Sequence, residues 1–215
     1  MEDIQRGEQI YDSYGKKCNT RFLLNYGFIN LNNDGNEYPF KVNLDPSDPH
    51  FAAKNELLGT ALNKRTYRVM ADLTETSTFK WLSWCRYVVF EGDMMLLAQM
   101  KIKDQNTQND SSDEEPTPSQ YKAENIGIIS ISNEKKVLQF VHKQATDCLK
   151  LYPDSLQTDM QILAKDDETH SLSFNERNCV LFRSGEKEIL HFYIEFTEYM
   201  SSLLGMKFKD AKKET

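Results

Sequence analysis

At 215 residues with 39% hydrophobic content, the chain is long enough for one domain with an attachment and apolar enough for a globular core. A net charge of -7 at pH 7 argues against nucleic acid as a partner, because binding a phosphate backbone rests on clustered Lys and Arg. The longest apolar run, residues 94–98, is far too short to span a bilayer, and neither a signal peptide nor a membrane partner is indicated. Cys18, Cys85, Cys148 and Cys179 show no C-x-x-C pair and no histidine at metal spacing, so no metal site is expected and they read as reduced thiols of a cytoplasmic or nuclear protein.

The chain opens on residues 7–28, GEQIYDSYGKKCNTRFLLNYGF. Gly7-Glu8-Gln9-Ile10 leads to Tyr14, Asn19 reads as the N-cap of a short helix with Phe22, Leu23 and Leu24, and the segment closes on Tyr26-Gly27-Phe28. Tyr11 has the wrong strand parity to share a face with Tyr14. A single tyrosine more often fills space than acts, so any weight rests on the ordered set. The turn formers of residues 30–36 end this piece. Tyr38, Phe40, Val42 and Leu44 then alternate with polar residues and Pro39, which predicts an edge strand with one buried face. Asp48 as cap and Pro49 at the first helical position predict a helix over 49–58, stopped by Gly59.

A helix is expected over 77–90, with Phe79, Leu82, Cys85, Arg86 and Val89 at helical spacing, and a short one over 93–102. Residues 103–120 are acidic, polar and proline-bearing, and read as a disordered insert. From Ser132, the residues Val137, Leu138, Val141, Ala145, Cys148 and Leu149 keep a helical stripe until Tyr152-Pro153 breaks it. Asp154 with Gln157 predicts a capping box for a helix carrying Leu156, Met160 and Leu163. Ser173 with Glu176 repeats the device and opens a long helix with Val180, Leu181, Ile189, Leu190 and Tyr193 on one side, bent near Gly185. His142, His170 and His191 are too dispersed to form a site.

The order Gly7-Glu8-Gln9-Ile10, Tyr14, Asn19-capped helix, Tyr26-Gly27-Phe28 resembles the closing segment of a SET methyltransferase domain, of the Rubisco large-subunit methyltransferase type. Further on, SNEKKVL, YPDSLQTD and LSFNERNCVLFRSGEKEIL in that order resemble the helical substrate-binding domain of the same subfamily. The resemblance implies an α+β, mostly α fold: a short β-rich C-terminal remnant of a SET fold followed by an all-helical substrate-binding domain. It divides the chain into a SET segment (1–31), a linker and edge strand (32–48), the substrate-binding domain (49–205) and a tail (206–215).

By resemblance, Tyr14 lies beside the transferred methyl and touches substrate, Tyr26 lines the channel for the substrate side chain, and Tyr26, Gly27 and Phe28 flank the cofactor, S-adenosyl-L-methionine. The chemistry accounts for such residue types. Methyl transfer is an in-line displacement that depends on aiming a neutral amine at the methyl carbon. A lysine of ordinary pKa, about 10.4, must first lose its proton, which a nearby cation and a dry aromatic slot both favour. A phenol titrating near 10 is a poor base at neutral pH, so Tyr14 is cast as an orienting and electrostatic residue. Family members differ on lysine versus histidine; the actin-histidine type lacks a tyrosine matching Tyr26, so Tyr26 leans toward a lysine acceptor.

In SET proteins most of the cofactor site, including a Gly-rich segment and an Asn-His pair, precedes the strand that begins here, and neither is found before Gly7. The expectation is therefore the C-terminal part of a protein-lysine methyltransferase, with an incomplete cofactor site, a protein substrate on the helical domain and the missing SET half as partner. The alternatives are a non-catalytic protein-binding module and, more distantly, a helical interaction protein unrelated to SET domains.

Overall fold

The computed structural model describes residues 7, 9, 12–58, 64–95 and 126–206. The helix expected over 93–102 falls mostly outside these residues, and the insert expected over 103–120 falls wholly outside them, as do Glu8, Ile10 and all but the first residue of the tail. The elements are α1 (Asn19–Tyr26), β1 (Tyr38–Asn43), α2 (Phe51–Leu58), β2 (Lys64–Val69), α3 (Thr76–Val88), α4 (Ile131–Leu149), α5 (Leu156–Thr169) and α6 (Phe174–Leu203). This is an α+β, mostly α arrangement, as the sequence implied. It contains one strand that periodicity did not mark, β2, which pairs antiparallel with β1 from Tyr38 opposite Val69 to Asn43 opposite Lys64.

The alternation in β1 does what its period requires: Tyr38, Phe40 and Val42 are buried, while Lys41 and Asn43 face out. The buried face meets α3 and α6. Phe40 stacks on Trp81 at 4.5 Å between ring centroids, and Tyr193 meets Trp81 edge-on at 5.0 Å. Such aromatic pairs add about 0.5–1.5 kcal/mol beyond the area they bury. The Tyr193 hydroxyl donates to the Met70 carbonyl at 2.5 Å and lies 3.2 Å from the Thr78 hydroxyl, so the polar tip of the ring is satisfied at the centre of the core. The face of α3 differs from the expected one. Trp81, Trp84, Cys85 and Val88 are buried, whereas Phe79 is 46% exposed, because the helix is held between the sheet and α4 and the two tryptophans fill that space.

The stripes of α4 and α6 pack along each other as their spacing predicted, with Val137, Val141, Ala145, Ile189, Leu190 and Tyr193 inside. The Ser173 capping box is present, with Glu176 bonding back to the Ser173 amide at 2.9 Å. The other expected box is corrected: the cap of α5 is Ser155, whose hydroxyl accepts from the Thr158 amide at 3.1 Å, not Asp154. Met160 faces solvent, and the residues that α5 buries are Asp159 and Asp166. At Gly185, where a bend was expected, α6 continues without a break as one helix of 30 residues. Gly185 has another use: a Cβ there would stand 2.8 Å from Asn36 Nδ2, so its bare backbone lets the loop after α1 close on α6.

Helix α2 begins at Phe51, two residues later than expected, because Asp48 Oδ1 accepts from the His50 amide at 2.8 Å and holds residues 48–50 in a turn. Its anchor is charged. Lys54 is fully buried, with its ammonium 2.5 Å from Asp48 Oδ2 and 2.6 Å from the Val88 carbonyl. Burial opposes ionisation of Asp48, but the Lys54 ammonium and the His50 amide outweigh it and hold the carboxyl below the usual range. A carboxyl depressed in the folded state adds stability that is present above its unfolded pKa of about 3.9 and lost as pH falls through the folded value. The urea midpoint should therefore drop between pH 5 and pH 3, and Asp48→Asn should shrink that drop. An equal drop in the variant would remove Asp48 from this role.

Candidate functional site

Of the site residues expected from the sequence, Tyr14, Tyr26 and Phe28 form with Phe22 a cluster of four aromatic rings on the segment around α1. Tyr14 meets Tyr26 at 4.6 Å between centroids, Phe28 at 5.5 Å and Phe22 at 6.3 Å. Phe22 and Phe28 stack at 5.2 Å. Phe22 is buried and forms the floor, while Tyr14 and Tyr26 are 52% and 45% exposed and present their rings to solvent. The segment thus brings together Tyr14, Tyr26 and Phe28. Gly27 contributes backbone: it is the C-cap of α1 at φ 76°, its amide donates to the Leu23 carbonyl at 3.0 Å, and this left-handed turn swings Phe28 back toward Tyr14.

Asn19 does not cap α1. The N-cap is Cys18, which makes no side-chain cap bond, and Asn19 is the first helical residue, 5% exposed. Its amide group reaches across to the following loop. Nδ2 donates to the Asn30 carbonyl at 3.2 Å, while Oδ1 accepts from the Asn30 amide at 3.2 Å and from Asn33 Nδ2 at 3.0 Å. Asn33 Nδ2 in turn donates to the Lys17 carbonyl at 2.9 Å. A buried side chain that makes three such bonds is worth more to the fold than a cap on the surface. Asn19→Ala should cost about 2 kcal/mol, read as a lower urea midpoint together with faster protease cleavage between residues 29 and 36. Unchanged cleavage would show that the loop is held by other contacts.

Two residues that hold this face were not singled out in the sequence. Asn178 of α6 donates from Nδ2 to the Gly27 carbonyl at 3.1 Å, pinning the end of α1 to the long helix. Lys17 donates from its ammonium to the Tyr14 carbonyl. The signal for Asn178 was a buried amide next to the apolar stripe of α6, but its partner lies 151 residues away. Among the described residues no group of three or more His, Cys, Asp or Glu could hold a metal, and no helix is long and apolar enough to cross a membrane. All four cysteines are unpaired, with burial pushing the Cys85 and Cys148 thiols up. His142 is part-buried, 3.3 Å from Glu198 across α4 and α6, and takes no part in the aromatic cluster.

A family model described as Rubisco LSMT substrate-binding matches residues 45–190, the part of the chain that carries β2 and helices α2 to α5 and more than half of α6. The chain belongs to the Rubisco LSMT substrate-binding family. Relatives of this Rubisco LSMT-type chain include the actin-histidine N-methyltransferases of Rhinolophus ferrumequinum, 28% identical over 193 residues, and of Homo sapiens, 26% identical over 191 residues. Each alignment covers 88% of this chain and 30% of the relative, so the chain spans less than a third of those proteins. A solved structure of Rubisco LSMT bound to AdoMet shares the fold at a TM-score of 0.65 and 20% identity, covering 98% of this chain and 45% of that one. That likeness extends through the segment around α1, where the aromatic cluster lies, and it is a likeness of fold.

Proposed function

We propose that this chain forms the C-terminal part of an S-adenosyl-L-methionine-dependent protein-lysine N-methyltransferase, with residues 1–31 as the end of its SET domain and residues 49–205 as the domain that docks the protein substrate. The observation that carries this reading is the half-exposed pair Tyr14 and Tyr26, 4.6 Å apart and backed by the buried Phe22. Electron-rich ring faces attract cations, and the cluster suits both a sulfonium and a lysine side chain entering between rings. The cofactor, when bound, supplies an electrophilic methyl group. The residues here orient: Tyr14 presents its hydroxyl and ring where the acceptor nitrogen must be aimed, Tyr26 walls the acceptor channel, and the Gly27 turn keeps Phe28 alongside. A dry aromatic wall also lowers the pKa of an entering lysine and favours its neutral form.

One aromatic wall leaves the rings open to solvent, so the reading assigns the remaining walls to a SET half outside this chain and expects no transfer without it. Calorimetric titration of the purified chain with S-adenosyl-L-methionine should give no saturable heat. Addition of a SET segment carrying the Gly-rich stretch and the Asn-His pair should restore both binding and transfer. Saturable micromolar binding by the chain alone would overturn the division of the site, and a complemented complex that never transfers a methyl group would leave the non-catalytic protein-binding reading in its place. A histidine acceptor is the second reading, favoured by the activity for which the sequence relatives are named. Mass spectrometry of the modified substrate residue separates the two.

A further inference from the structure

Next to the aromatic face lies a cleft of about 780 Å³, walled by the residues leading into α1, by β2 and by the first turn of α3. Among the described residues that line it, Lys16, Lys17, Arg21, Arg68 and Lys80 outnumber Glu37 and Glu75 by three, in a chain whose net charge is -7. The two acids do not close it. Arg68 lies 2.9 Å from Glu37 and Lys16 lies 3.7 Å from Glu75, with the cationic side chains 50% and 59% exposed, and exposed pairs of this kind are weak and readily exchanged. Arg21 projects to solvent from the first turn of α1. Lys17 lines the cleft and also bonds the Tyr14 carbonyl, so the basic wall and the aromatic face are consecutive parts of one surface.

We propose that this cleft is the docking site for an acidic segment of a protein substrate, a stretch of Asp and Glu close in sequence to the residue that reaches Tyr14. Charge selects this occupant. An acidic peptide is repelled by most of an acidic protein and focused into this basic cleft, where its lysines and arginines and the hydroxyls of Thr66, Thr76 and Ser77 receive carboxylates. The same acidic balance opposes a nucleic acid, whose phosphates extend well past one small cleft. The inference rests on the methyl-transfer reading for where the segment belongs in the substrate. The binding itself is independent of cofactor and transfer.

Fluorescence anisotropy of the whole chain with a fluorescein-labelled Asp/Glu/Gly peptide, against an Asn/Gln/Gly peptide of the same length, tests it directly. The acidic peptide should bind saturably, lose affinity as salt rises, and bind at least about fivefold more weakly to the Lys16→Glu, Arg21→Glu double variant, because reversal replaces attraction by repulsion. Lys165→Glu, an exposed reversal on α5, should change nothing. Equal binding of the two peptides, an unchanged double variant, an equal loss in Lys165→Glu, or tighter binding of a single-stranded oligonucleotide would each overturn the assignment. Should circular dichroism show that the double variant is unfolded, Arg21→Gln must still weaken binding at least about twofold. Failure here leaves methyl transfer by a complemented enzyme untouched, and failure of transfer leaves the peptide affinity as it was.

Discussion

Replacing Asp159 by alanine is expected to remove about 3–5 kcal/mol of stability, the range found when one partner of a buried ion pair is deleted. Asp159 is 0% exposed and is the hub between α5 and α6. Its Oδ2 lies 2.5 Å from the ammonium of Lys187, itself 1% exposed, and its Oδ1 accepts from Arg183 Nε at 2.8 Å. Lys187 has little else: the Ser155 carbonyl at 3.5 Å and the face of Tyr152 at 5.1 Å to the centroid. Without the carboxylate a buried ammonium is left almost unpaired, and the cost is most of the margin of a domain stable by about 5–15 kcal/mol. Urea denaturation measures it. The double change Asp159→Leu, Lys187→Leu should recover much of the loss, because filling the space with apolar groups avoids the desolvation that the pair must offset. A loss below about 1 kcal/mol in the single variant would show that α5 is held by its apolar contacts instead.

In the enzyme completed with a SET segment, Tyr14→Phe should lower methyl transfer by about 100-fold or more while leaving the urea midpoint of this chain within about 0.5 kcal/mol. The two expectations rest on different atoms. The ring that packs on Tyr26, Phe28 and Phe22 is retained in phenylalanine, and at 52% exposure the hydroxyl is not part of the core. What the proposed reading loses is the polar group it places beside the acceptor, and misdirected acceptors or missing fixed dipoles are costly at this scale. Full transfer by Tyr14→Phe would remove the hydroxyl from the chemistry. A large loss of stability would show that the residue is structural.

The parts of this protein legible in sequence were those carried by local repetition. The α4 and α6 stripes, the β1 alternation and the Ser173–Glu176 box each announce themselves within a few residues, because the periods of helix and strand are properties of the backbone. Tyr14, Tyr26 and Phe28 were picked out in another way, from motif order, and the fold brings their rings together. Strand β2 was missed because KRTYRV is half charged and reads as surface, and its register exists only against β1.

Local pattern by itself determined strand β1, the principal helices and a tyrosine pair at the end of a short segment, while the α+β, mostly α class came from the family resemblance. Tertiary structure decided what the polar residues do. Asn19 reads as a cap and serves as a tie across to Asn30 and Asn33. Gly185 reads as a bend and serves as a close approach for Asn36. Asp159 is marked by no local pattern and sits at 0% exposure against a lysine 28 residues on. The reason is common to Asn19 and Asp159. Burying an amide or a charge is tolerated only when a partner satisfies it, and that partner is supplied from elsewhere in the chain, so the role of such a residue is set by the fold and not by its neighbours in sequence.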